Sequence, residues 1–87
     1  MPPQTKYKID IQQYANNQLV ISNCNAITFI NNGATSVLIN NIPLAAGASL
    51  SIQGNVDELD TTQYNITVGT STTANVIVIK KMNQWQQ

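Results

Sequence analysis

The chain has 87 residues, with four lysines, four acidic residues, no histidine and a formal net charge of zero. Charged residues make up 9% of it, against about 25% in an ordinary soluble domain, so its polar surface must come from 12 Asn, 9 Gln, 9 Thr and 5 Ser. Four lysines cannot neutralise the many phosphates on which nucleic-acid binding depends. The longest apolar run, residues 76–79, is far below the roughly 20 residues of a membrane-spanning helix. Composition therefore argues against nucleic-acid and membrane partners.

The first third of the chain alternates apolar and polar residues with a period of two, which is typical of half-buried strands. Tyr7, Ile9 and Ile11 point to one face of a first predicted strand, and Lys8 and Asp10 point to the other. Further strands are predicted at residues 18–22 and 26–31.

A turn pattern follows the third strand directly. Asn32 and Gly33 lie between two apolar runs, and Asn-Gly in that position is the strongest short-range hairpin pattern because a type I′ turn needs positive φ at both central residues. We therefore expect residues 34–40 to pair antiparallel with residues 26–31.

Two more tight turns are predicted in the middle of the chain. Asn40 and Asn41 can both adopt the left-handed conformation, and Ala46-Gly47 turns the chain again. Pro43, which cannot donate a hydrogen bond to a ladder, indicates an edge or irregular strand between them.

The rest of the chain predicts strands at residues 49–53, 64–68 and 76–81, with one short helical or 3₁₀ turn within residues 55–63. Six to seven short strands separated by turns are typical of a small antiparallel β-sandwich or barrel. We therefore predict an all-β fold and a single domain over residues 1–87, with an N-terminal arm at 1–6 and a C-terminal tail at 82–87.

The sequence contains few residues that could act in catalysis or bind a metal ion. The absence of histidine removes the commonest general base and the commonest metal ligand. Cys24 has no partner for an internal disulfide and is expected to be a small buried or half-buried residue. Asp57, Glu58 and Asp60 form the only acidic cluster, but the spacing and glycine of a dedicated calcium loop are missing. We predict no enzyme activity, no catalytic residue, no cofactor and no metal site.

The remaining candidates are contact residues near the two ends of the chain. Pro2 and Pro3 stiffen the N-terminal arm toward an extended conformation, and this arm either contacts a neighbouring subunit or is a disordered end. Trp85 lies in a polar tail where it either packs back on the domain or anchors a partner. We predict partner contacts at Pro2, Pro3, Tyr7, Met82 and Trp85.

The stretch at residues 29–68 resembles small virion proteins of tailed phages that infect Bacteroidetes, the crAss-like phages among them. The pattern combines apolar strands with an Asn and Gly turn, a Val-x-Ile-Asn strand, an Asn-x-x-Glu element and a closing aromatic-x-Ile strand. Ala46 departs from it, because a proline usually precedes that glycine. The matching residues are Ile30, Asn32, Gly33, Val37, Ile39, Asn40, Leu44, Gly47, Ser49, Ile52, Asn55, Glu58, Tyr64 and Ile66.

The resemblance implies a β-rich virion component and transfers no site residue. Its first implication is a capsid auxiliary or decoration protein that docks on the shell, with the major capsid protein and further copies of itself as partners. A small tail or fibre component is the alternative within the virion. The N-terminus lacks the apolar core of a signal peptide, so we expect synthesis in the host cytoplasm and localisation in the virion.

A carbohydrate-binding or adhesin module is the alternative of another class, because β-sandwiches often bind sugars through exposed aromatic and amide side chains. The chain has five aromatic residues, and strand alternation sends several of them toward the core. Specific binding on a glycan array would favour this alternative.

Overall fold

A computed structural model describes residues 6–55 and 58–84 of the chain. These residues form eight strands and no helix, which confirms the all-β class, with eight strands where six to seven were predicted. The segment that contains Pro43 is a short strand at a sheet edge, as the proline indicated. The strands are β1 (Lys6–Tyr14), β2 (Gln18–Ile21), β3 (Ala26–Asn31), β4 (Val37–Ile39), β5 (Ile42–Leu44), β6 (Ser49–Gln53), β7 (Gln63–Thr67) and β8 (Val76–Gln84).

The strands form two four-stranded antiparallel sheets. The first sheet has the order β1-β8-β3-β6 and the second has the order β2-β7-β4-β5. One face of each sheet contributes to a shared core, in which the Phe29 ring of the first sheet packs on the Tyr64 ring of the second, with ring centroids 5.1 Å apart. Buried apolar residues of the two sheets make up this core: Val20, Cys24, Ile27, Phe29, Val37, Ile39, Leu44, Tyr64, Ile66, Ala74, Val76 and Val78. The arrangement is compatible with a small β-sandwich.

The predicted hairpin at Asn32-Gly33 is wrong. β3 pairs with β6 and β8, whereas β4 belongs to the other sheet and pairs with β5 and β7. Gly33 has no positive φ, and a Cβ on it would lie 2.5 Å from Thr73 O and 2.8 Å from Asn75 N. The glycine is therefore needed because another segment passes close to it where the chain crosses between the sheets.

The two later turns are confirmed. Asn40 and Asn41 have φ values of 49° and 67° and connect β4 to β5 in a two-residue hairpin. Gly47 has a φ of 81°, and Ala48 N donates to Ala45 O across this turn at 3.0 Å. Positive φ at both asparagines is the geometry that lets a tight turn follow the twist of the paired strands.

Asn31, at the end of β3, is a fully buried polar residue whose side chain bonds the crossover after β3 and the end of β5. Its Nδ2 donates to Thr35 O at 2.8 Å and to Leu44 O at 2.9 Å. Its Oδ1 accepts a hydrogen bond from Gly33 N at 3.0 Å. The crossover after β3 and the end of β5 are thus held by one side chain.

Several predicted boundaries differ from the structure. β8 continues past residue 81 to Gln84, so residues 82–84 of the predicted tail belong to a strand, and β1 begins at Lys6. Within the described part of residues 55–63 there is no helix; Glu58 N donates to Asn55 O at 3.0 Å, and Asp60 forms a bridge with Cys24. In the described ranges there is also no helix long and apolar enough to cross a membrane.

Candidate functional site: an exposed isoleucine face

The side of the first sheet that faces away from the core carries an unusual number of isoleucines. Ile9 and Ile11 on β1, which the sequence pattern places on one face of the strand, are 47% and 59% exposed. β1 lies at the sheet edge, and its other side carries Lys8, Asp10 and Gln12. The edge strand therefore presents its apolar residues to solvent.

The neighbouring strands continue this apolar surface. Ile11 lies opposite Ile79 of β8, and Ile77 of β8 lies opposite Ile30 of β3. Ile30, Ile77 and Ile79 are half-buried because strands flank them on both sides. We call this surface the isoleucine face and define it by Ile9, Ile11, Ile30, Ile77 and Ile79.

Sequence reasoning missed this face, although one pattern points to it. Residues 76–79 are apolar without interruption, which is typical of a strand that is covered on both sides. In the structure Val76 and Val78 enter the core, while Ile77 and Ile79 point away from it. A continuous apolar strand in the middle of a sheet thus has an outer side with no cover among the described residues.

The predicted contact residues do not form one cluster. Tyr7 is 60% exposed on the same side as the isoleucine face, with Lys81 Nζ 5.0 Å from its ring centroid, a distance at which a cation is attracted by the ring. Met82 lies on the opposite side of the ribbon, paired with Lys8, and packs against the core. Pro2, Pro3 and Trp85 lie outside the described residues.

The aromatic residues of the described part are divided between core and surface. Phe29 and Tyr64 are buried, Tyr14 is half-buried and Tyr7 is exposed. Among the described aromatic residues, Tyr7 is thus the only one whose side chain is mainly exposed and free to contact a partner.

A second polar cluster surrounds Cys24 and Asp60. Their backbones pair in an isolated bridge, and Ser22 Oγ donates to Asp60 O. The Asp60 carboxylate accepts hydrogen bonds from Thr62 N at 2.8 Å and from the Tyr64 hydroxyl at 2.9 Å. The bridge and the Ser22 bond tie the loop before β7 to the segment between β2 and β3, while the Thr62 and Tyr64 bonds fix the Asp60 side chain within that loop and against β7.

The pKa values in this cluster do not favour nucleophilic or acid–base chemistry. Hydrogen bonding from Thr62 holds the pKa of the Asp60 carboxyl below its usual value. Burial raises the pKa of the Cys24 thiol and, as the first cause, that of the Tyr64 hydroxyl. A thiol with a raised pKa is protonated at neutral pH and is a weak nucleophile.

A cavity of about 320 Å³ lies beside this cluster. Two of its polar side chains are engaged within the chain: Asn25 Nδ2 donates to Asn55 O and Glu58 O, and Glu58 Oε1 accepts a hydrogen bond from Asn55 N at 2.7 Å. Across the described residues, no group of three or more Cys, Asp or Glu side chains is placed to hold a metal ion. Asp57, the third member of the predicted acidic cluster, lies outside the described residues.

Comparison of the chain with models of protein families, with curated proteins and with solved structures found no match.

Proposed function

We propose that this chain is a structural protein of a phage virion, a capsid auxiliary subunit that docks on the shell and stabilises it. The observation that carries this proposal is the isoleucine face: two isoleucines that are about half exposed or more, beside three half-buried ones, on a chain with only 9% charged residues. Contiguous exposed apolar surface of this kind marks a site of protein association.

The shape of this face suits a protein partner better than a small molecule. Its side chains lie on the outer side of a sheet, on β1, β3 and β8, and none of them lines the cavity beside Asp60. Flat apolar surfaces are typical of subunit interfaces, whereas small ligands bind in clefts that enclose them. The major capsid protein is the partner that we propose.

Stabilisation of a shell needs no chemistry from this subunit. A protein that binds the assembled state and not the dissociated one shifts the equilibrium toward assembly by mass action. A surface with few charges suits this task, because copies that lie close together on a shell then repel one another little. The resemblance of residues 29–68 to phage virion proteins supports a phage virion as the assembly that this chain joins.

The proposal is tested by incorporation into phage particles. Ile79→Gln places an amide at the centre of the isoleucine face, and we expect it to reduce the number of copies per purified particle, measured by quantitative mass spectrometry. Leu38→Gln is the matched control, since Leu38 is a half-buried residue on the outer side of the second sheet. Circular dichroism of both variants checks that they fold.

Three results would contradict the proposal. The chain could be absent from purified particles, or Ile79→Gln could be incorporated as well as Leu38→Gln. A few copies confined to the tail would instead indicate the alternative of a tail or fibre component.

A further inference from the structure

The first sheet has two edge strands: β1, which is long and unblocked, and β6, which has five residues. β1 pairs with β8 along one side over nine residues, and its other side has no strand partner among the described residues. The two edges of the second sheet are much shorter: β2 has four residues, and β5 has three and includes Pro43. A long edge without proline offers a row of backbone donors and acceptors to another strand.

The centre of β1 has apolar residues two positions from Ile9 in both directions and charged residues at the two adjacent positions. Tyr7 and Ile11 are apolar residues two positions away on either side, on the same face of the strand as Ile9. Lys8 and Asp10 are its immediate neighbours and carry opposite charges on the other face. A strand with this pattern is complementary to a copy of itself that runs in the opposite direction.

We propose that β1 pairs antiparallel with β1 of a second copy of this chain, about a two-fold axis at Ile9. In this register Ile9 lies opposite Ile9 of the second copy. Lys8 then lies opposite Asp10 of the second copy, and Asp10 opposite its Lys8, so two pairs of opposite charges form. Tyr7 lies opposite Ile11 of the second copy, which makes two contacts between apolar side chains.

Other registers that keep the apolar residues on one face are unfavourable. An axis at Asp10 would place two aspartates opposite each other, and an axis at Lys8 would do the same with two lysines. Like charges directly opposite each other destabilise a strand pair. An axis at Ile11 would leave Asp10 opposite Gln12, with no compensating charge. The charges of β1 therefore select a single register and contribute more to specificity than to affinity.

The contacts that Lys8 and Asp10 make within the chain leave both side chains available to pair with charges of a second copy. Among the described residues, the Asp10 side chain accepts only a long hydrogen bond from Gln12, at 3.4 Å, while the nearby Lys80 Nζ donates instead to Ile21 O at 2.8 Å. Lys8 is exposed and lies opposite Met82, an uncharged residue. An edge lysine ordinarily discourages pairing with other strands, but here Asp10 of the second copy supplies its counter-charge.

This pairing would join two four-stranded sheets into one sheet of eight strands and would place two isoleucine faces side by side. It is independent of the virion function proposed above, because it concerns the strand edge and needs no other partner. A closed two-fold contact uses the β1 edge of both copies, so pairing through β1 ends at a dimer.

Sedimentation velocity of the purified chain, over a range of concentrations, tests the dimer. We expect a reversible dimer for the unchanged chain. Ile9→Lys should raise its Kd by about tenfold or more, because it replaces an apolar contact on the axis with two lysines facing each other. Leu19→Lys is the matched control, since Leu19 on β2 is 46% exposed, close to the 47% of Ile9, and it should leave Kd unchanged.

A charge exchange tests the register. K8D alone and D10K alone should each weaken the dimer, because every chain then carries two like charges at these positions. An equimolar mixture of the two variants should form a heterodimer, and the double variant K8D/D10K should dimerise as the unchanged chain does. A merely structural role for these residues would not produce recovery on mixing.

Three outcomes would overturn the inference. The unchanged chain could remain a monomer at the highest concentration reached, Ile9→Lys could dimerise as well as Leu19→Lys, or the mixture of single variants could show no heterodimer. Circular dichroism of each variant confirms that a lost dimer does not come from unfolding. Failure of the dimer with normal incorporation into particles would leave the proposed function standing.

Discussion

Replacing Asn31 with leucine should cost a large part of the stability of this fold. Asn31 is 0% exposed and makes three hydrogen bonds, to Thr35 O, Leu44 O and Gly33 N. A leucine of similar size removes all three, each with a net contribution of about 1 kcal/mol. The carbonyl of Leu44 is also left without this partner inside the protein, at a further cost of about 1 to 3 kcal/mol.

The expected loss is therefore about 3 to 5 kcal/mol, reduced somewhat by the apolar surface that leucine buries. An 87-residue domain has a total stability of only about 4 to 13 kcal/mol, so the variant should be partly unfolded or close to it. Urea unfolding followed by circular dichroism measures the difference. Asn32→Ala is the control, because Asn32 is exposed and should change stability by less than about 0.5 kcal/mol. A loss below about 1 kcal/mol for Asn31→Leu would refute the reasoning.

Three further predictions concern other positions. The pKa of Asp60 is lowered in the folded state, so the stability that its carboxylate contributes is present above the ordinary pKa of about 3.9. This stability is lost as the pH falls through the lower pKa of the folded state. The urea midpoint of the unchanged chain should therefore drop more between about pH 5 and pH 2 than that of Asp60→Asn. Cys24 is 1% exposed and its pKa is raised, so a thiol reagent at neutral pH should label it slowly in the folded protein and rapidly in urea, and equal rates would contradict its burial. Gly33→Ala should destabilise the fold by about 2 to 3 kcal/mol, because the added Cβ would meet backbone atoms. Gly47→Ala should cost only about 1 kcal/mol, because Gly47 has a φ of 81° but open space around it. The reverse order of stability in thermal unfolding would contradict the role of Gly33 in a close approach.

The strands could be located from the sequence because their alternation is local information. The hairpin at Asn40 and Asn41 was likewise predictable, since two residues that tolerate positive φ lie between two apolar segments. The same argument fails at Asn32-Gly33, where the glycine serves a close approach to Thr73 and Asn75. A contact between residues so distant in sequence cannot be predicted from the pattern of neighbouring residues.

The orientation of β1 could not be predicted for a related reason. Alternation shows that Ile9 and Ile11 share a face, but not which face of the strand the second sheet covers. That depends on the pairing of β1 with β8, some seventy residues away along the chain. The isoleucine face, which carries the proposed function, therefore became visible only when the sheet order was known.

The central position of β8 in the first sheet has a consequence for folding. β1 and β3 do not pair with each other and are joined only through β8, which follows every other described strand in sequence. During synthesis this sheet cannot close until residues 76–84 leave the ribosome, and pairings of such long sequence separation form slowly. Until then the isoleucines of β1 have no neighbouring strand in this sheet, so the nascent chain is most vulnerable to misassembly just before β8 is synthesised.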